Sequence, residues 1–143
     1  MLPRNEDWRN ATILVVEDSL AVRKMVCAML TQTGYNCLEA GDGAEALRLL
    51  KEAEDVQLVL TDVIMPNMDG PELAHQLSQI RPDLRILFMS GYVEDAVVRS
   101  IGRTSSLFLS KPFTAAALME KVRQALDRPW LGMPKDRAGI RSA

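Results

Sequence analysis

Apolar residues along the chain fall into two kinds of segment, short continuous runs and longer stretches with helical spacing. The runs are Thr12–Val16, Asn36–Ala40, Leu58–Thr61, Arg85–Met89 and Leu107–Leu109. Most are continuous rather than alternating, the pattern of strands buried on both faces of a parallel sheet. Between the first two, Val22, Met25, Val26, Met29 and Leu30 form an i, i+3, i+4, i+7, i+8 stripe, and Gly34 supplies a helix stop. Asp42-Gly43-Ala44-Glu45 and Asp69-Gly70-Pro71-Glu72 each place an acid at a candidate N-cap with Glu three residues on. Leu73, Leu77 and Ile80 then share one helix face, as do Leu118, Val122, Ala125 and Leu126 after the last run. Residues Glu94–Gly102 carry the weakest helical signal, because Ala96, Val97, Val98 and Ile101 follow the period only loosely.

The order is five βα units, which predicts an α/β fold: a doubly wound five-stranded parallel sheet with helices on both faces. In such a sheet, ligands sit outside the carboxyl ends of the strands. The ends of the chain differ from its middle. Residues 1–11 are polar and read as a flexible N-terminal segment, residues 12–127 as the folded domain. Residues 128–143, with Pro129, Gly132, Pro134 and Gly139, read as a flexible C-terminal tail. Trp130 and Leu131 are its candidates for packing back on the domain.

Composition adds limits. The chain has 143 residues, enough for one domain, with 48% hydrophobic and 25% charged residues. The net charge of −2 argues against a nucleic-acid partner. No apolar run approaches the ~20 residues that span a bilayer, and the N-terminus lacks the apolar core of a signal peptide. Both point to a cytoplasmic protein without a membrane partner. Cys27 and Cys37 sit in apolar patterns without metal-ligand spacing and read as small buried hydrophobes. The single His75, off the apolar stripe of its helix, rules out a multi-histidine metal site within the chain.

Chemistry gathers at the predicted strand ends. The first strand ends in Glu17-Asp18 and the third in Asp62, so three carboxylates would converge. Like charges a few ångströms apart repel, and a hard divalent ion with oxygen ligands relieves this. Few protein ligands and several retained waters suit Mg2+. The fourth strand ends in Ser90 and the fifth in Ser110-Lys111-Pro112-Phe113, bringing a hydroxyl and an ammonium to the same edge. A carboxylate nucleophile, a metal, a hydroxyl donor and a lysine make a phosphoryl-transfer set. Each residue alone has a blander reading as a solvated helix start, turn or surface charge. Their joint appearance is what carries the inference.

Four segments carry a resemblance: Ile13-Leu14-Val15-Val16-Glu17-Asp18-Ser19, Val59-Leu60-Thr61-Asp62-Val63-Ile64-Met65-Pro66-Asn67-Met68-Asp69-Gly70, Phe88-Met89-Ser90-Gly91-Tyr92 and Phe108-Leu109-Ser110-Lys111-Pro112-Phe113. Over roughly residues 11–127 the chain resembles the bacterial response-regulator receiver family. The Ser-Gly-Tyr segment is most similar to receivers attached to, or working with, hybrid histidine kinases. The resemblance implies a flavodoxin-like (βα)5 fold with strand order 2-1-3-4-5. It implies Asp62 as phosphoacceptor, and Glu17, Asp18, Asp62 and the Ile64 backbone carbonyl as Mg2+ ligands. It also implies Ser90 as switch hydroxyl, Lys111 as phosphate-contacting lysine with a cis bond to Pro112, and Phe108 as switch aromatic. No organic cofactor is implied. The implied partners are a histidine kinase or histidine phosphotransfer protein upstream and a protein downstream. The length is expected to leave no room for an output domain, so the chain reads as a stand-alone regulator, a shuttle in a phosphorelay or the receiver piece of a hybrid kinase, with Met1 and the short tail favouring the first.

Two features depart from the best-known members. Phe108 stands where Tyr is usual and has no hydroxyl, so any rotamer switch must work by packing. Ile64 and Tyr92 are both bulky, at positions that in the family help control water's access to the phosphoaspartate, so the resemblance implies slow self-dephosphorylation. Arg23 and Lys24 flank the first helical stripe, where they meet a kinase or solvent. The methionines at 25, 29, 65, 68 and 89 read as core or near-site packing.

Rival readings differ at identifiable residues. A haloacid-dehalogenase-like phosphatase needs a second acid two residues after its nucleophile, where this chain has Ile64. A flavin- or dinucleotide-binding domain needs a phosphate cradle after the first strand, where Glu17-Asp18 would repel phosphate. A binding module of the same fold that no longer uses phosphate stays open.

Overall fold

The computed structural model describes residues 10–90, 107–127, 137, 138, 140 and 141. β1 (Thr12–Val16), β2 (Asn36–Ala40), β3 (Val56–Asp62), β4 (Arg85–Ser90) and β5 (Leu107–Ser110) form one parallel sheet in the order β2-β1-β3-β4-β5. The helices between and after them are α1 (Leu20–Thr33), α2 (Gly43–Glu52), α3 (Gly70–Ile80) and α4 (Ala115–Asp127). Beyond α4, Arg137–Ala138 and Ile140–Arg141 pair as a separate two-stranded sheet. The doubly wound, flavodoxin-like architecture and its strand order are as the sequence predicts. The expected helix at Glu94–Gly102, the Tyr92 position and the Trp130-Leu131 pair lie outside the described residues.

The sheet is buried on both faces, and side-chain alternation assigns residues to each. In β1, Ile13 and Val15 join the cluster under α1 and α4, with Val26, Leu30, Leu118 and Val122. Leu14 and Val16 point the other way, into the cluster under α2 and α3 with Ala46, Leu50, Leu73 and Leu77. Leu58 and Leu60 of β3 join the first cluster and Val59 the second. Truncating such a fully buried leucine to alanine costs about 2–5 kcal/mol.

Helix ends follow the sequence signals. The Asp42 carboxylate accepts from the Glu45 amide at 2.8 Å, and Glu45 Oε1 accepts from the Gly41 amide at 2.8 Å. Asp69 accepts from the Glu72 amide at 2.9 Å. Gly34 closes α1 with φ 110°, its amide donating to the Leu30 and Thr31 carbonyls. Two apolar stripes are shorter than predicted. Met25 (45% exposed) and Ile80 (46%) face outward. In α1 the buried line runs through Val26, Cys27 and Leu30 instead, and Ile80 is the last residue of its helix.

The cysteines depart from expectation. Cys27 of α1 and Cys37 of β2 are joined by a disulfide, with Cα atoms 5.9 Å apart. Packing of α1 across the β1–β2 edge brings the two together, which apolar patterning does not encode.

Candidate functional site

The register of the parallel strands aligns their carboxyl ends. Val16 pairs with Thr61, Asp62 with Met89, and Ser90 with Ser110. Glu17 and Asp18 therefore leave β1 beside Asp62, and Lys111 follows β5 at the same edge. Acceptor oxygens of Glu17, Asp18 and Asp62 lie within 4.8 Å of one another. Glu17 and Asp62 are buried, at 2% and 4% exposure, whereas Asp18 is exposed.

Lys111 is the cation in this cluster. Its Nζ stands 2.7 Å from Asp62 Oδ1 and 3.5 Å from Glu17 Oε1. The Lys111 amide donates to the Ser90 carbonyl at 2.8 Å, tying the two strand ends together. The following bond to Pro112 is cis, as the resemblance implies. Glu17 Oε2 accepts from the Ser19 amide at 3.0 Å. Burial pushes the Asp62 carboxyl up to about 7, and the Glu17 carboxylate pushes the same way against the Lys111 ammonium. Ser90 is fully buried at the end of β4.

The set fits a hard divalent cation. It offers carboxylate oxygens only, three negative groups against one ammonium, and one of them open to solvent. Asp62 Oδ1 is buried with the Lys111 charge beside it but no hydrogen bond of good geometry. Oxygen donors of this kind suit Mg2+.

The loop after β3 is built around Gly70. Its amide donates to the Val63 carbonyl at 2.7 Å, and the Val63 amide donates to the Met89 carbonyl at 3.1 Å. A Cβ at position 70 would collide with the carbonyl oxygen of Asp62 and come within 3.2 Å of the Phe88 ring. Glycine is thus required where the loop closes on the acidic residue. Within the loop Asn67 takes φ 71°, a conformation Asn tolerates better than most residues, and the Ile64 side chain is 48% exposed. Phe108 stacks on Phe88 of the neighbouring strand, ring centroids 5.5 Å apart.

Of the residues singled out from sequence, Glu17, Asp18, Asp62 and Lys111 come together directly, with Ser90 at the adjoining strand end. His75 is exposed on α3 beside Gln79. Lys24 is largely exposed, and its ammonium pairs with Glu39 at 3.0 Å. Met65 and Met89 are buried and Met68 packs against Gly43, whereas Met25 is exposed. Arg23 is the residue whose role the sequence concealed. Its side chain is only 16% exposed, and its guanidinium bridges Glu39 and the Glu17 carbonyl. The available signal was positional: Arg23, Cys27 and Leu30 lie at i, i+4 and i+7 on one helix face.

The fold and site define a class, the doubly wound α/β domains that gather an acidic cluster and a lysine at the carboxyl ends of their strands. The chain belongs to the response regulator receiver domain family, whose model matches residues 13–123. It is 40% identical over 121 residues to the sensor kinase CckA of Brucella abortus, covering 83% of this chain but 13% of that protein. It is 36% identical to the response regulator receiver protein CpdR of the same organism, covering 80% of this chain and 95% of CpdR. Among solved structures it resembles a response regulator receiver protein from Sinorhizobium medicae (TM-score 0.75, 30% identity, 82% and 95% of the two chains). The receiver domain of the hybrid histidine kinase CckA is also similar (TM-score 0.68, 36% identity, 81% and 99%). Membership places the chain in two-component signalling. Among the described residues no helix is long and apolar enough to cross a membrane.

Proposed function

We propose that this domain accepts a phosphoryl group onto Asp62 from the phosphohistidine of a histidine kinase or histidine phosphotransfer protein, and signals in the cytoplasm through a downstream protein. The observation that carries this reading is the convergence of Asp62, Glu17, Asp18 and Lys111 at one sheet edge. Glu17, Asp18, Asp62 and the Ile64 backbone carbonyl hold Mg2+. When bound, this ion offsets the carboxylate charges and those of the phosphoryl oxygens.

The protein's own groups do the rest. An Asp62 carboxylate oxygen forms a bond to phosphorus as the phosphorus–nitrogen bond of the donor breaks, and the electron pair leaves with the imidazole. Lys111, already 2.7 Å from Asp62, neutralises charge on the transferred group. The Ser90 hydroxyl donates a hydrogen bond to a phosphoryl oxygen. The product carries roughly −1.5 to −2 charge where Asp62 carried at most −1. Ser90 and Lys111 are drawn toward it, and Phe108 repacks against Phe88 to follow, a shift between two populations of one fold. Bulky residues at positions 64 and 92, which in the family help control water's access, favour a long-lived phosphoaspartate.

Incubation with acetyl phosphate and Mg2+ tests the reading. Intact-mass measurement should find one added phosphoryl group, absent in Asp62→Asn and without Mg2+. No gain from acetyl phosphate or a cognate phosphodonor would favour a phosphate-independent binding module.

A further inference from the structure

Arg23 sits on the first helix, one turn before the buried Cys27, and its side chain is mostly buried. Its Nε donates to Glu39 Oε1 at 3.0 Å and its Nη1 donates to the Glu17 carbonyl at 2.8 Å. Glu39 also receives the Lys24 ammonium at 3.0 Å. These bonds, Lys24 first and Arg23 after it, hold the Glu39 carboxyl below its ordinary value. On the other side, a Cβ at Gly41 would come within 3.4 Å of Nη1. The guanidinium is thus wedged between the end of β2 and the start of the loop after β1.

The carbonyl it grips belongs to the peptide that joins Glu17 to Asp18. That peptide is planar, so fixing its oxygen fixes the plane from which the Asp18 backbone departs. Glu17 is held at its amide as well, which donates to the Ala40 carbonyl at 3.1 Å, and at its carboxylate by Ser19. Asp18 is the exposed member of the acidic cluster and the one most in need of an imposed direction.

We infer that Arg23 is a positioning residue for the acidic pair, clamping the Glu17–Asp18 peptide so that both carboxylates meet Asp62 in a geometry that takes Mg2+. This rests on the proposed reading of that cluster as the Mg2+ site. The clamp makes an unusual demand on sign. Arg23 is a cation near a cation site, so electrostatics alone predicts that its removal tightens Mg2+ binding. Positioning predicts the opposite.

The test uses the full chain and its Arg23→Ala, Arg23→Lys and Glu39→Gln variants. Mg2+ affinity is measured by calorimetry, and the acetyl-phosphate phosphorylation rate is followed against Mg2+ concentration. Arg23→Ala should weaken Mg2+ binding by about tenfold, the scale for loss of a group that orients metal ligands. Its rate at saturating Mg2+ should approach that of the wild type, whereas a purely structural role would lower the folded fraction without moving the half-saturating concentration. Arg23→Lys keeps the charge but cannot bridge both oxygens, so it should fall between. Glu39→Gln, which loosens the clamp from its far end, should weaken Mg2+ by a smaller factor, and with Arg23→Lys it decides the matter if Arg23→Ala does not fold. Unchanged or tighter Mg2+ binding in the folded Arg23 variants would overturn the positioning role while leaving the acceptor reading intact. Absence of Mg2+ binding to the wild type would overturn both.

Discussion

The Lys111 ammonium lies 2.7 Å from Oδ1 of Asp62, although the two residues leave strands that are not neighbours in the sheet. β4 stands between them, and Lys111 reaches across from just past the end of β5, its amide bound to the Ser90 carbonyl. A buried carboxylate and a cation close to it are therefore supplied by distant parts of the chain.

Removing that cation should slow chemistry more than folding. Lys111→Ala is expected to reduce the rate of phosphorylation by acetyl phosphate on the order of 10²-fold, the scale for losing one charge-stabilising donor. Mg2+ affinity should hold or rise, because a competing cation has gone. Phosphorylation at the wild-type rate in a stopped time course would remove Lys111 from the reaction.

Asp62 should make the metal-free protein pH-sensitive. Its folded value is raised to about 7, above the unfolded value of roughly 3.9. Between these values the folded state binds more protons than the unfolded state, so unfolding free energy falls as pH rises through that window. In EDTA, Asp62→Asn should be the more stable protein near pH 8, by on the order of 2 kcal/mol after allowance for the cation left beside it. The difference should vanish near pH 4. Denaturant titrations across the range check this; a wild type more stable than Asp62→Asn near pH 8 would contradict it.

Gly70→Ala should damage the site from behind. The new methyl group meets the Asp62 carbonyl oxygen and the Phe88 ring, so the acidic residue or the loop must move. A loss of about 1–3 kcal/mol is expected for such overpacking, together with slower phosphorylation. Full activity at unchanged stability would show that the loop yields freely.

The Cys27–Cys37 disulfide closes a short loop, with a sequence separation of 10. Chain-entropy reasoning gives it about 2–3 kcal/mol. Reduction, or Cys27→Ser with Cys37→Ser, should lower the thermal midpoint measurably. An unchanged midpoint under reducing agent would show that the crosslink contributes no stability.

Phosphate lifetime should depend on position 64. The Ile64 side chain is half-exposed in the loop after Asp62, and Ile64→Ala should speed hydrolysis of the phosphoaspartate several-fold by opening a path for water. Phosphate release from the purified phosphoprotein in Mg2+ measures it. A wild-type half-life of seconds would refute the expectation of a slow site.

Much of this protein is legible in its sequence because the governing interactions are local or periodic. Continuous apolar runs such as Ile13–Val16 announce strands buried on both faces, since both faces of the sheet are covered. Asp42 and Asp69 mark helix starts because a carboxylate three residues from an amide caps it wherever the helix lies. Glu17-Asp18, Asp62, Ser90 and Lys111 are recognisable as a set because parallel strands deliver their carboxyl ends to one edge.

Packing decided what spacing could not. Leu14 and Ile13 are equally apolar, yet opposite helix layers bury them. Arg23 looks like any surface charge until α1 settles against β2 and encloses it. Cys27 and Cys37 look like small hydrophobes until the same packing joins them. The raised Asp62 carboxyl likewise comes from desolvation by residues scattered along the chain. Sequence by itself determined the strands, the caps and the identity of the reactive groups, whose causes act over a few residues. Only the tertiary structure decided which groups touch, how deeply each charge is buried and which cation answers it, because those depend on distances that the fold alone sets.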